Sequence, residues 1–105
     1  MKSDTARIGI VNRDGSVTSI HSDHVSQHPI GIDGRILANR YSSMEKLMPV
    51  INTGDIDKVD VEMNTNTKPN KPACTDSDLL EFVCREEEYK FLFNGYNWKV
   101  IITLY

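Results

Sequence analysis

A small α+β fold is predicted: an antiparallel sheet built from N- and C-terminal hairpins, covered on one face by one or two helices. Three observations lead there. Two short β-rich runs flank a turn at Arg13-Asp14-Gly15, and two longer ones flank Asn94-Gly95. Between these pairs, apolar residues recur at helical spacing from Ile32 to Ile51.

The N-terminal pair comprises Ile8 to Val11 and Val17 to His21, after a polar and frayed Met1 to Ala6. A three-residue loop with Gly15 left-handed pairs Ile8 with Ile20 and Ile10 with Thr18, gathering one apolar face. A two-residue turn would scatter the same side chains over both faces. Ser22 to Gly31 then reads as an irregular loop holding His21, His24 and His28 within it or at its mouth. Asp33 is a candidate N-cap for a helix carrying Ile32, Ile36, Leu37 and Tyr41 on one stripe. Ser42 to Glu45 fits a capping box for a second helix carrying Met44, Leu47, Met48 and Ile51, stopped at Gly54. Pro49 predicts a break in it, since an interior proline costs about 3 kcal/mol.

Lys58 to Met63 alternates as a strand with an acidic face, and Asn64 to Thr75 carries two prolines and almost no apolar residue. It reads as a mobile loop within a single domain spanning 1–105. For 76–85 two readings stay open. Leu79, Phe82 and Val83 suggest a helix behind a cap at Thr75 to Asp78, whereas Leu80-Phe82-Cys84 alternates as a strand would. Tyr89 to Phe93 and Tyr96 to Leu104 form the last hairpin. A type I′ turn would pair Phe93 with Tyr96, Phe91 with Trp98 and Tyr89 with Val100, leaving Lys90 opposite Lys99 on a wet face.

Composition narrows the function classes. The chain has 105 residues, 39% hydrophobic and 26% charged, with a formal net charge of −3. That is an ordinary globular mixture, without the clustered basic residues of non-specific nucleic-acid binding. No apolar run approaches membrane-spanning length. Cys74 and Cys84 are expected as free thiols in a cytoplasmic setting.

The block IGIVNRDGSVTSIHSDHVSQHPIGIDGRILANRYSSMEKLMPVINTGDID, with the tail YKFLFNGYNWKV, resembles a family of small uncharacterised bacteriophage accessory proteins. The resemblance rests on Ile8, Gly9, Asp14, Gly15, Ile20, Pro29, Gly31, Leu37, Tyr41, Lys46, Gly54, Asp55 and Ile56, and on the closing hairpin. It covers roughly Arg7–Asp57 and Tyr89–Val100. The loop ahead of Pro29 departs from the family outline, being richer in histidine and one residue longer. What the resemblance implies is an accessory phage protein acting in the host cytoplasm, in host takeover or defence evasion.

No catalytic set has the required spacing, so a non-enzymatic binder without cofactor is expected. It would inhibit or modulate a host protein with a basic surface, such as a nuclease or transcription complex, with no direct contact to nucleic acid or membrane. The candidate contact residues are Asp23, His24, His28, Asp57, Asp60 and Glu62. The alternative is a metal site on His21, Asp23, His24 and His28, whose imidazoles and carboxylate are ligand types for zinc, nickel or copper. A weaker one is a virion-associated structural accessory. Glu86 to Glu88 reads as a solvated acidic run, and the chain as a monomer or homodimer.

Limited proteolysis should cut first within Asn64–Thr75, at Lys68 or Lys71, each slowed by the proline that follows. A first cut in Ser22–Gly31 would make the histidine loop the more mobile of the two.

Overall fold

A computed structural model describes residues 5–25, 28–59 and 71–102. The strands are β1 (Ala6–Val11), β2 (Val17–His24), β3 (Ile56–Lys58), β4 (Cys74–Asp76), β5 (Tyr89–Phe93) and β6 (Trp98–Ile102). The helices are α1 (Gly34–Arg40), entered through a π-helical turn at Pro29–Asp33, α2 (Met44–Thr53) and α3 (Leu79–Val83). The sheet order is β3-β2-β1-β5-β6, with β4 also on β2. None of these helices is long and apolar enough to cross a membrane.

The α+β class and the two hairpins are as the sequence predicts, but the sheet is mixed. β5 joins β1 in parallel, and β3 joins β2 in parallel. Parallel neighbours need long crossovers, which the helices after β2 and the whole stretch between β1 and β5 supply. Alternation along a strand carries no information about the direction of its neighbour.

The first hairpin has the predicted register, Ile8 with Ile20 and Ile10 with Thr18, and Gly15 is left-handed at φ 90°. Ala6 is not frayed: it opens β1 fully buried. Ile8, Ile10, Ile20, Phe91 and Phe93 make one face, packed against Leu37 of α1 and Leu47, Val50 and Ile51 of α2. Asp33 makes no side-chain cap, because the π turn already provides a wound entry. The cap of α2 is Ser43 rather than Ser42, accepting from the Lys46 amide at 3.3 Å. Pro49 does not break α2. It lies exposed, while its neighbours Val50 and Ile51 are buried, and that burial offsets the missing backbone bond.

The third strand starts at Ile56, two residues before the predicted Lys58; Asp60 to Met63 lies outside the described residues, as does Asn64 to Asn70 of the proline loop. Cys74 and Thr75 of that loop are strand, opposite Ser19 and Thr18. The stretch after them is a helix. Its cap is Asp78, accepting from the Glu81 amide at 3.0 Å, with Glu81 reaching back to the Ser77 amide at 2.7 Å. The box therefore sits three residues beyond the predicted Thr75–Asp78.

The C-terminal register differs by two residues. Phe93 faces Trp98, Phe91 faces Val100 and Tyr89 faces Ile102, around a loop closed by Asn94 N donating to Asn97 O. The Asn94 side chain accepts from the Tyr96 and Asn97 amides at 2.8 Å, satisfying the wider loop. A two-residue shift preserves the face of every side chain, so the aromatic face survives, but Tyr96 leaves it and is 86% exposed. Trp98 stacks at 5.1 Å from Phe93 and donates its indole N–H to Tyr41 O at 3.0 Å. Lys90 then faces Ile101 and not Lys99, and it is buried.

The second face is therefore covered as well. Phe82 of α3 inserts between Val17 and Leu92 in a small second core. Gly9 makes room for it, since a Cβ there would stand 2.9 Å from the Phe82 ring. Gly9→Ala should destabilise by about 1–3 kcal/mol through overpacking. Urea denaturation of Gly9→Ala alone and with Phe82→Leu measures it. Relief of the cost in the double variant is the expected result, and additive costs would place the clash elsewhere.

Candidate functional site

β1 is the middle strand, and its alternation sends Arg7 to the second face of the sheet. Register sets His21 of β2 on one side of Arg7 and Lys90 of β5 on the other. Three basic side chains thus stand abreast across adjacent strands, two of them buried, an arrangement that demands a carboxylate. Glu87, just ahead of β5 and only 2% exposed, supplies it.

Glu87 Oε2 accepts from Arg7 Nε at 3.0 Å and faces His21 Nδ1 at 2.7 Å. Its backbone oxygen accepts from Lys90 Nζ. Arg7 Nη1 donates to Ser19 Oγ at 2.8 Å, and His21 Nε2 lies 3.1 Å from Asp23 Oδ1. Burial pushes the Glu87 carboxyl up, but the His21 hydrogen bond and the Arg7 charge outweigh it and hold it below the ordinary value. Burial also pulls the Lys90 ammonium down; Glu87 opposes that and Arg7 adds to it. Glu87 Oε1 is buried without a hydrogen-bond partner.

Beside this cluster lies a cleft of about 520 Å³, whose lining includes Arg7, His21, Glu87 and Arg85 together with Asp23, Asp55, Lys71 and Cys74. Its place follows from the pairing of β2. β4 takes Val17 to Ser19 and β3 takes Ser22 and His24, so the outer edge of β2 is interrupted between them. In that gap Asp55 accepts from the His21 amide at 3.0 Å, while its own amide donates to Lys71 O at 2.9 Å. Gly54 is required here. Its φ is 99°, and a Cβ would stand 2.3 Å from the Lys71 carbonyl oxygen. Across the cleft, Arg85 holds Asp76 through two bonds of 2.8 Å, and that hydrogen bonding raises its pKa.

Each ring nitrogen of His21 faces a carboxylate, Nδ1 that of Glu87 and Nε2 that of Asp23. Ser19 is buried under Arg7. Cys74 and Cys84 are both free, as expected, and both are exposed. Among the described residues no three His, Cys, Asp or Glu side chains converge as a metal site requires. In the alternative metal set, only His21 and Asp23 come together. His24 closes β2 opposite Lys58, and His28 is exposed at the π turn.

Of the residues singled out for partner contact, Asp23 and His24 share the end of β2, and the register of β3 brings the backbone of Asp57 alongside them. Asp60 and Glu62 lie outside the described residues. Glu86 is exposed, but Glu87 and Glu88 are buried, so the acidic run is not a solvated face. Its burial follows from its place beside the basic row. Arg7 and the Arg85–Asp76 pair were not singled out from the sequence, and Asp55 and Glu87 figured there only within acidic stretches suited to a basic partner surface. The available signal was a charge at Arg7, inside an otherwise apolar strand.

Comparison with family models, curated proteins and solved structures found no match to this chain.

Glu87 links stability to pH. Because its folded-state pKa lies below the ordinary 4.5, its contribution is present above that value and is lost as pH falls through the lowered one. Glu87→Gln should flatten this acid limb and cost about 3 kcal/mol at neutral pH by uncovering Arg7. Urea denaturation from pH 7 to pH 3 reads both. Parallel curves for the two proteins would contradict the assignment.

Proposed function

We propose that this chain is a non-enzymatic bacteriophage accessory protein that binds a host protein in the host cytoplasm and inhibits or modulates it. The observation that carries the reading is the clustering of polar contact candidates at one edge of the sheet. Asp23 and His24 end β2, the backbone of Asp57 runs beside them in β3, and Asp23 lines the charged cleft. The Glu87 cluster supports a binding role, because Arg7 and both ring nitrogens of His21 are engaged by neighbouring side chains.

The partner suited to this edge is a protein with a basic surface, such as a nucleic-acid-binding or defence protein. Charge complementarity raises the association rate and is screened by salt. The resemblance of the N-terminal block and the closing hairpin to phage accessory proteins sets the biological context. It says nothing of the target.

Affinity capture from host lysate, followed by binding measurements on the captured protein, tests the proposal. Replacing Asp57, Asp60 and Glu62 together by Asn, Asn and Gln should weaken binding about tenfold and flatten its salt dependence. Replacing His24 and His28 by Ala should weaken it by raising the dissociation rate. Binding unchanged in both variants would move the contact surface elsewhere, and one equivalent of bound metal, with activity lost on chelation, would favour the metal-site alternative.

A further inference from the structure

We infer that the outer edge of β6 is a docking strand for an extended acidic segment of a partner protein, at the end of the sheet opposite the surface proposed above.

The first ground is an open backbone edge. β6 ends the sheet order, and among the described residues only β5 pairs with it. Which groups face outward follows from the closing loop. Asn94 N donates to Asn97 O, and bonded and non-bonded pairs alternate from there along the ladder. Leu92 with Lys99 and Lys90 with Ile101 are therefore the pairs bonded across to β5. The N–H and C=O groups of Trp98, Val100 and Ile102 point the other way. Such a row is a template for one more strand, whose main-chain bonds supply affinity and whose alternate side chains supply specificity.

The second ground is that little blunts this edge. The register with β5 runs without a bulge, and the strand, WKVII, holds no proline and a single charge. Val100 is 37% exposed and Ile102 41%, on the face where Phe91 and Tyr89 stand opposite them. An added strand would lay every second side chain beside this apolar pair.

The third ground is charge, which selects the occupant. α1 packs against β6, and the Trp98 indole bonds Tyr41 O at the end of that helix. Residues 34–41 and 94–102 together hold Arg35, Arg40 and Lys99 and no acidic residue, in a chain of formal net charge −3. All three cations are exposed, and Asp33, just ahead of α1, is buried. Twofold pairing of β6 with a second copy would set two such basic edges against each other, whereas an acidic strand meets complementary charge.

The whole protein is titrated with the peptide acetyl-Glu-Val-Glu-Val-Glu-Val-Glu-amide, followed by amide chemical shifts and amide exchange. The expected result is saturable binding near millimolar, with exchange slowed at Trp98, Val100 and Ile102 and unchanged at Lys99 and Ile101. The same peptide with lysine in place of glutamate should bind about tenfold more weakly. Val100→Pro removes an outward N–H and no bond to β5, a change that edge strands accommodate, and should abolish binding. Lys99→Glu, at an exposed side chain, tests the charge should the proline variant not fold, and should weaken the acidic peptide severalfold. Equal binding of the two peptides, protection gained elsewhere, or an affinity unaffected by Lys99→Glu would each overturn the assignment. Concentration-dependent dimers in sedimentation, with the same three amides protected in the absence of peptide, would give the edge to a second copy instead. The probe contains no host protein and is directed at the far edge from Asp23 and His24, so its failure leaves the host-target reading standing.

Discussion

A guanidinium in the middle strand of a sheet cannot be left without a counter-charge, and much of this structure follows from where that charge comes from. Arg7 sits on β1 with a neighbouring strand on either side and α3 on the same face of the sheet. The carboxylate comes from Glu87, eighty positions away in the chain. Bringing it there docks β5 beside β1. A buried ion pair adds little net stability over an apolar pair of similar volume, but leaving either partner alone costs several kcal/mol, about 3–5 in typical cases. Its effect is therefore on register. A slip of β5 by two residues along β1 would keep Phe91 and Phe93 on the apolar face, yet it would separate Glu87 from Arg7. Apolar alternation sets the face, and the ion pair selects one register among those the alternation allows.

Covering both faces has a second consequence. A sheet with one wet face would tolerate Lys90 at the surface, and the predicted tight turn at Asn94-Gly95 required that. The observed four-residue loop moves Lys99 away to face Leu92 and lets Lys90 pack beneath the surface, with its ammonium on the Glu87 carbonyl. Gly9 and Phe82 belong to the same solution. The short helix α3 can approach the sheet because one β1 position on that face has no side chain.

The sequence showed those features whose causes are local. The register of the first hairpin was legible, because only one loop length puts Ile8, Ile10 and Ile20 on one face, but its strands run further than predicted, from Ala6 and through Ser22 to His24, where an irregular loop was expected. α2 was legible as an apolar stripe, but its continuity through Pro49 was not. That depends on Val50 and Ile51 finding a core, which is tertiary information. The wider closing loop depends on the Asn94 side chain capping Tyr96 and Asn97, a choice that competes closely with the two-residue turn. The direction of β3 and β5 left no trace in alternation. Of the candidate site, Asp23 was visible as one of a polar group, whereas Glu87 was hidden in a run that reads as solvated. Nothing in spacing couples it to Arg7.

The place of the cleft is itself a product of strand pairing. β2 is too long for either of its outer neighbours, so β4 covers one end and β3 the other, and the amide of His21 falls between them. A backbone donor in such a gap has to be satisfied, and Asp55 does so with a side chain instead of a strand. That substitution sets a carboxylate in the lining of the cleft that Glu87 also lines. Gly54, wound to positive φ against the Lys71 carbonyl, is what lets the chain arrive there. A continuous outer strand would have sealed the seam and removed Asp55 from it. The interrupted edge is thus the structural cause of a site in which buried charge meets the surface, with Asp23 near the end of β2 in its lining.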